Sequence, residues 1–181
     1  MLLSDIRELA KDAAGNIDQV YIHWTAGHYG QKFSDYHILV DMDGTLYATV
    51  DDLTTRLNHT YMRNNRAIGI GALCAYQAHS TDDLGPEPPT NAQIESIAQL
   101  IAVLSEELAL SIDIQHFMTH AEAADNMDGL DPGYAQNGYP DGKYGPENSV
   151  ERWDFWVVKV GDPPGSGGGI LRGKGIWYCK S

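Results

Sequence analysis

The stretch AIGIGALCAY, residues 67–76, decides the architecture. It is a continuous apolar run punctuated by glycines, the pattern of a strand buried inside a sheet. A buried strand needs partners on both sides, and the flanking sequence offers them. VYIHW (20–24) reads as a short strand upstream. YHILV (36–40) and TLYAT (45–49) flank Asp41–Gly44, whose Asp-Gly pair signals a tight turn, so the two read as a hairpin. HFMTH (116–120) reads as a further strand.

Helical spacing appears between these runs. Ser4 is placed to cap a first helix carrying Ile6, Leu9, Ala10 and Ala13, with Gly15 as its stop. Thr90 with Gln93 makes a capping box, behind which Ile94, Ile97, Ala98, Ile101, Leu104 and Leu108 form one apolar stripe. VERWDFWVV (150–158) is expected to be helical. Residues 125–149 hold five glycines and three prolines and read as a long surface loop. GDPPGSGGG (161–169) reads as flexible, and LRGKGIWYC closes the chain. Strands mixed with helices and one hairpin give the α/β class, a central mixed sheet flanked by helices in a single domain over 1–181.

Composition narrows the partners. Twelve Lys and Arg against 25 Asp and Glu leave a formal charge of −13. A nucleic-acid partner needs clustered cations to displace counterions, so none is expected. Two cysteines, Cys74 and Cys179, lie too far apart for a zinc knuckle and are too few for a disulfide scaffold. MLLSDIREL lacks the basic start and apolar run of a signal peptide, and no stretch approaches the ~20 apolar residues of a membrane span. The expectation is a monomer synthesised in the cytoplasm without insertion into a membrane.

Seven histidines stand out: His23, His28, His37, His59, His79, His116 and His120. On one strand, His116 and His120 would lie about 13 Å apart, too far to share an ion. His23 and His120 differ from the rest in context. His23 ends an apolar strand that runs into Thr25-Ala26-Gly27; His120 ends another and enters a long irregular loop. Two strand-end imidazoles plus a carboxylate from a third segment have the composition of a catalytic zinc site with one position open. Spacing alone does not establish that they converge.

IHWTAG (22–27), YHILVDMDGTLY (36–47), NHTYMRNNRAIGIG (58–71), PPTNAQIESIAQLI (88–101), THAEAAD (119–125) and ERWDFW (151–156) occur in that order. This ordered set resembles the zinc-dependent N-acetylmuramoyl-L-alanine amidases of the type 2 family, which includes phage endolysins and is related to peptidoglycan recognition proteins. The resemblance spans roughly residues 20–178. It implies zinc ligands at His23 and His120 and a third at one of two aspartates. Asp154 follows Arg152 by two positions, as the family's third ligand follows a cation; Asp131 sits in a DPG tripeptide that some relatives use. Asp154 is preferred and Asp131 is the alternative. The resemblance implies catalytic roles for Tyr36, which would donate to the oxyanion or orient the water, and for Arg152, as electrostatic stabiliser. Some members carry a Glu base directly after the IGI strand, where this chain has Gly71.

Trp24, His59 and Asn65 are expected to contact substrate, with Tyr29, Tyr61 and Trp153 as further candidate aromatics. The implied activity is cleavage of the amide between N-acetylmuramic acid and L-alanine in peptidoglycan. Such a protein, a phage or prophage endolysin, would reach the wall in the periplasm after release from the cytoplasm.

Two other readings compete. ILVDMDGTLY also fits the hhhhDxDGT signature of haloacid-dehalogenase-like phosphatases, with Asp41 as nucleophile, Asp43 as acid/base and Mg²⁺ as counter-ion. The β-type run after the motif, an earlier strand at 20–24 and the lack of a marked phosphate-binding Lys weigh against it. The remaining reading is an amidase-like fold that binds peptidoglycan without cutting it.

Overall fold

The structure, a computed structural model, describes residues 1–146 and 152–181. Its centre is a five-stranded mixed sheet in the order β3-β2-β4-β1-β5. These strands are β1 (Gln19–Trp24), β2 (Ile38–Val40), β3 (Leu46–Ala48), β4 (Ala67–Ala72) and β5 (Phe117–Thr119). β1 runs parallel to β4 and to β5, β2 runs parallel to β4, and β3 returns antiparallel to β2. The Asp-Met-Asp-Gly segment is the turn of that hairpin: Asp41 accepts from the Gly30 and Met42 amides, and Asp43 from the Thr45 amide. A direct return by an antiparallel strand is the hairpin expected, not the exit from a phosphatase's first parallel strand.

The two faces of β4 differ. Ile68, Ile70 and Ala72 join the main core with Val20, Ile22 and Trp24 of β1, under helices α1 (Leu3–Ala13), α2 (Asn91–Leu108) and α4 (Gly167–Lys180). The opposite face of β4 carries Ala67, which packs with Tyr21 and Met118, and then Gly69 and Gly71. A Cβ at Gly69 would stand 2.7 Å from the His59 ring, and one at Gly71 2.8 Å from the Tyr36 ring. The glycines are therefore spaces that two rings fill, so AIGIG is an alternating strand whose second face is covered by side chains from loops.

The long helix follows its sequence. Thr90 accepts from the Gln93 amide while the Gln93 side chain accepts from the Thr90 amide, and all six stripe residues are buried. At α1 the expected cap is corrected: the helix starts at Leu3, and the Asp5 carboxylate accepts the Leu2 amide at 2.7 Å, so Ser4 lies inside the first turn. HFMTH divides, because Thr119 caps a short helix, α3 (His120–Ala124), by accepting from the Glu122 amide.

Two further expectations are corrected. Residues 152–158 form turns rather than a helix, and Val150 and Glu151 lie outside the described residues. Arg152 and Phe155 both take positive φ, near 50° and 57°, which no helix tolerates. Gly167–Gly169, read as part of a flexible stretch, instead open α4. A Cβ on Gly167 would run into the Phe155 carbonyl and one on Gly168 into the Glu122 carboxylate, so these glycines permit close docking. Arg172 of α4 then pairs with both Glu122 oxygens at 2.8 Å and donates to the Phe117 carbonyl. Among the described residues, no helix is long and apolar enough to cross a membrane.

Candidate metal centre

Register brings the first two corners together. Ile22 of β1 faces Thr119 of β5, so the next residue on each chain, His23 and His120, emerges at the same end of the sheet. Their Nδ1 atoms lie 3.1 Å apart. The turn at 152–158 delivers the third corner: Asp154 Oδ2 is 3.0 Å from His23 Nδ1, and Oδ1 is 3.2 Å from His120 Nδ1. Among the described residues, these three are the group able to hold a metal ion together.

Each imidazole has its far nitrogen engaged elsewhere. His23 Nε2 lies 3.2 Å from Thr60 Oγ1, and His120 Nε2 lies 3.4 Å from the Tyr144 hydroxyl. With protons on Nε2, both Nδ1 lone pairs and the carboxylate face one point, three acceptors without a donor. That is a cation site by its chemistry. Its dimensions agree, since tetrahedral zinc with bonds of about 2.0–2.1 Å spaces neighbouring ligand atoms about 3.3 Å apart. The residues present fit such an ion.

The electrostatics point the same way. Burial pulls the His23 imidazole down to about 4, a shift that its contact with Asp154 only partly offsets. Burial alone would raise the Asp154 carboxyl. The charge of His120 and the contacts to both imidazoles instead hold it well below the usual carboxylate range. Near neutral pH the centre presents a neutral His23 and an ionised Asp154, as a divalent ion requires.

The other site candidates divide. The Tyr36 ring lies 5.0 Å from the His23 ring, and burial together with the Asp154 charge pushes its phenol upward, so it keeps its proton. Arg152 sets its guanidinium 5.4 Å from the centre of the Tyr144 ring, itself next to His120. Asp131 is outside the cluster; it accepts the Gly133, Tyr134 and Ala135 amides and shapes its own turn.

Three expected substrate contacts do not line the centre. Trp24 is buried in the main core against Trp153 and Phe155, because it falls on the apolar face of β1. His59 is buried behind His23, with its ring 5.4 Å away. Asn65 flanks a shallow depression with Gln19 and Asp131, at the start of β1. Four residues of strand, about 13 Å, separate that end from His23. Of the further aromatics, Tyr29 donates to the Pro88 carbonyl, while exposed Tyr61 stacks on Tyr134.

Sequence reasoning missed Thr60 and Tyr144. Thr60 had a visible signal, being adjacent to His59 in a segment already assigned to the groove. Tyr144 had none, since it sits among turn residues.

The sequence profile of the N-acetylmuramoyl-L-alanine amidase family matches residues 13–134, more than half of the chain. The chain belongs to this family. Membership places it among proteins that hydrolyse or bind peptidoglycan. The match contains His23, His120 and Asp131 and stops before Asp154. No curated protein matches the chain.

Among solved structures, AmpDh3 from Pseudomonas aeruginosa is similar at 15% identity and a TM-score of 0.50, over 77% of this chain and 66% of that one. The endolysin N-acetylmuramoyl-L-alanine amidase LysCS from Clostridium intestinale URNW is similar at 18% identity and a TM-score of 0.46, over 60% and 71%. Peptidoglycan recognition protein-LE, solved with tracheal cytotoxin, a monomeric diaminopimelic acid-type peptidoglycan, gives 18% and 0.46, over 74% and 86%. At these identities the likeness concerns the fold.

Proposed function

We propose that this chain is a zinc-dependent amidase that hydrolyses the bond between N-acetylmuramic acid and the L-alanine of the stem peptide. The observation that carries the reading is the convergence of His23, His120 and Asp154 at contacts of 3.0–3.2 Å in a member of the amidase family. These three side chains would hold the ion, with Asp154 rather than Asp131 as the acid. When bound, zinc supplies Lewis-acid polarisation of the amide carbonyl and activation of water near neutral pH.

The chain's own groups do the rest. Tyr36, protonated at neutral pH, donates its hydroxyl hydrogen toward the oxygen on which charge develops. Arg152 adds positive potential at the margin of the site. Overall, water's oxygen joins the lactyl carbonyl carbon, the C–N bond breaks, and the alanine nitrogen leaves with an added proton. We further propose that the protein works as a monomer in the manner of a phage or prophage endolysin, made in the cytoplasm and acting on the wall after release.

Digestion of purified peptidoglycan by the zinc-loaded protein tests the reading. New L-alanine amino termini are expected, lost in chelator and restored by added zinc. New reducing sugars would overturn it, as would tight retention on the wall with no new amino termini.

A further inference from the structure

Behind His23 lies a short polar chain that the hydrolysis itself does not use. Thr60 is buried, and its Oγ1 stands between His23 Nε2 at 3.2 Å and His59 Nδ1 at 2.8 Å. The side-chain oxygen of Asn64 fixes this pair by accepting the His59 amide at 3.1 Å and the Thr60 amide at 2.8 Å. Gly69 makes room for the His59 ring. His59 Nε2 has no hydrogen-bond partner; it approaches the Ala67 carbonyl without hydrogen-bond geometry.

A hydroxyl has one proton to give. Between two imidazoles it can donate to one and accept from the other. Two arrangements place the hydroxyl proton between the two rings. If Thr60 donates to His23, the His23 proton sits on Nδ1, pointing into the three-residue cluster and blocking it. If Thr60 donates to His59, the His23 proton sits on Nε2 and its Nδ1 lone pair is free for a cation. The distances favour the second, because the shorter contact is the one to His59. His59 is suited to accept: its ring is buried, and its Nδ1 lies within hydrogen-bond distance of the Thr60 hydroxyl.

We infer that Thr60 is a positioning residue which, by donating to His59 and accepting from His23, holds His23 in the tautomer that presents Nδ1 to a metal. This rests on the metal reading above and assigns His59 to orientation rather than to substrate contact. Outer partners of metal-bound histidines commonly matter by about 10–100-fold in affinity.

The test compares the full chain with Thr60→Val, which keeps the shape and loses the hydroxyl, and Thr60→Ser, which restores it. Zinc affinity is measured by competition with a chromophoric chelator, and side-chain ¹⁵N NMR of the zinc-free proteins reads the His23 tautomer. Thr60→Val is expected to weaken zinc about 10–100-fold and to raise the Nδ1-protonated fraction of His23, with Thr60→Ser close to the parent. Affinity of Thr60→Val within about threefold of the parent would overturn the inference. So would a parent His23 already protonated on Nδ1, or one whose tautomer ignores the substitution. Should the parent bind no zinc at all, the metal reading fails, while the tautomer measurement still decides the role of Thr60.

Discussion

The Tyr36 ring rests directly on Gly71: a Cβ there would approach its carbons to 2.8 Å, inside any normal contact. Gly71 is thus the floor beneath this chain's phenol. Gly71→Ala is expected to push Tyr36 off the floor, costing about 1–3 kcal/mol of stability and lowering amidase activity more than zinc affinity. Gly71→Glu should do worse and not supply a base. Thermal unfolding with wall-digestion rates checks both; full activity in Gly71→Ala would mean that Tyr36 has no part in the reaction.

Asp154→Ala should abolish zinc binding, because it removes the acid that faces both imidazoles. Asp131→Ala should leave zinc bound and only loosen the 131–135 turn, whose amides it accepts. Metal content after dialysis separates the two. The reverse result would move the third corner to Asp131.

Arg63 anchors the loop that follows α3. Buried itself, it pairs with Asp128 at 2.6 Å and donates to Asn126, the Leu130 carbonyl and the Tyr134 hydroxyl. Arg63→Met would strand the Asp128 carboxylate, whose side chain is 0% exposed, and should cost about 3–5 kcal/mol in urea unfolding. The double variant with Asp128→Leu should recover part of that loss.

His37 gives a pH signature away from the metal centre. Its Nε2 donates to the Thr55 carbonyl at 2.6 Å and its Nδ1 accepts the Gly69 amide at 2.9 Å, so the fold needs it neutral. Burial lowers its imidazole below the ordinary value. The unfolded chain therefore binds a proton that the native state refuses, and stability falls as pH drops below about 6.5. The slope contributed is at most about 1.4 kcal/mol per pH unit. Urea titrations at several pH values on the parent and on His37→Gln check it: the substitution should flatten the dependence between pH 6.5 and 5.

Periodicity revealed what periodicity controls. The α2 stripe, the hairpin and the strands at 20–24 and 67–72 follow from side-chain alternation and turn chemistry, and strand-end placement singled out His23 and His120 without any contact map. The path of 152–158 was hidden, because aromatic residues at near-helical spacing there bury against Trp24 and α4 through left-handed turns. Helix α4 was hidden for the opposite reason. Its glycines argue against a helix locally, yet they let it press onto Glu122, Phe155 and Ile101. Trp24 shows a third case, in which the residue next to a site residue on a strand points the other way.

The corners of the centre are spread widely along the chain: His120 lies 97 positions and Asp154 131 positions beyond His23. A ribosome will have finished every strand of the sheet before the acid exists. A chain ending between His120 and Asp154 would carry both imidazoles and lack the carboxylate that faces them.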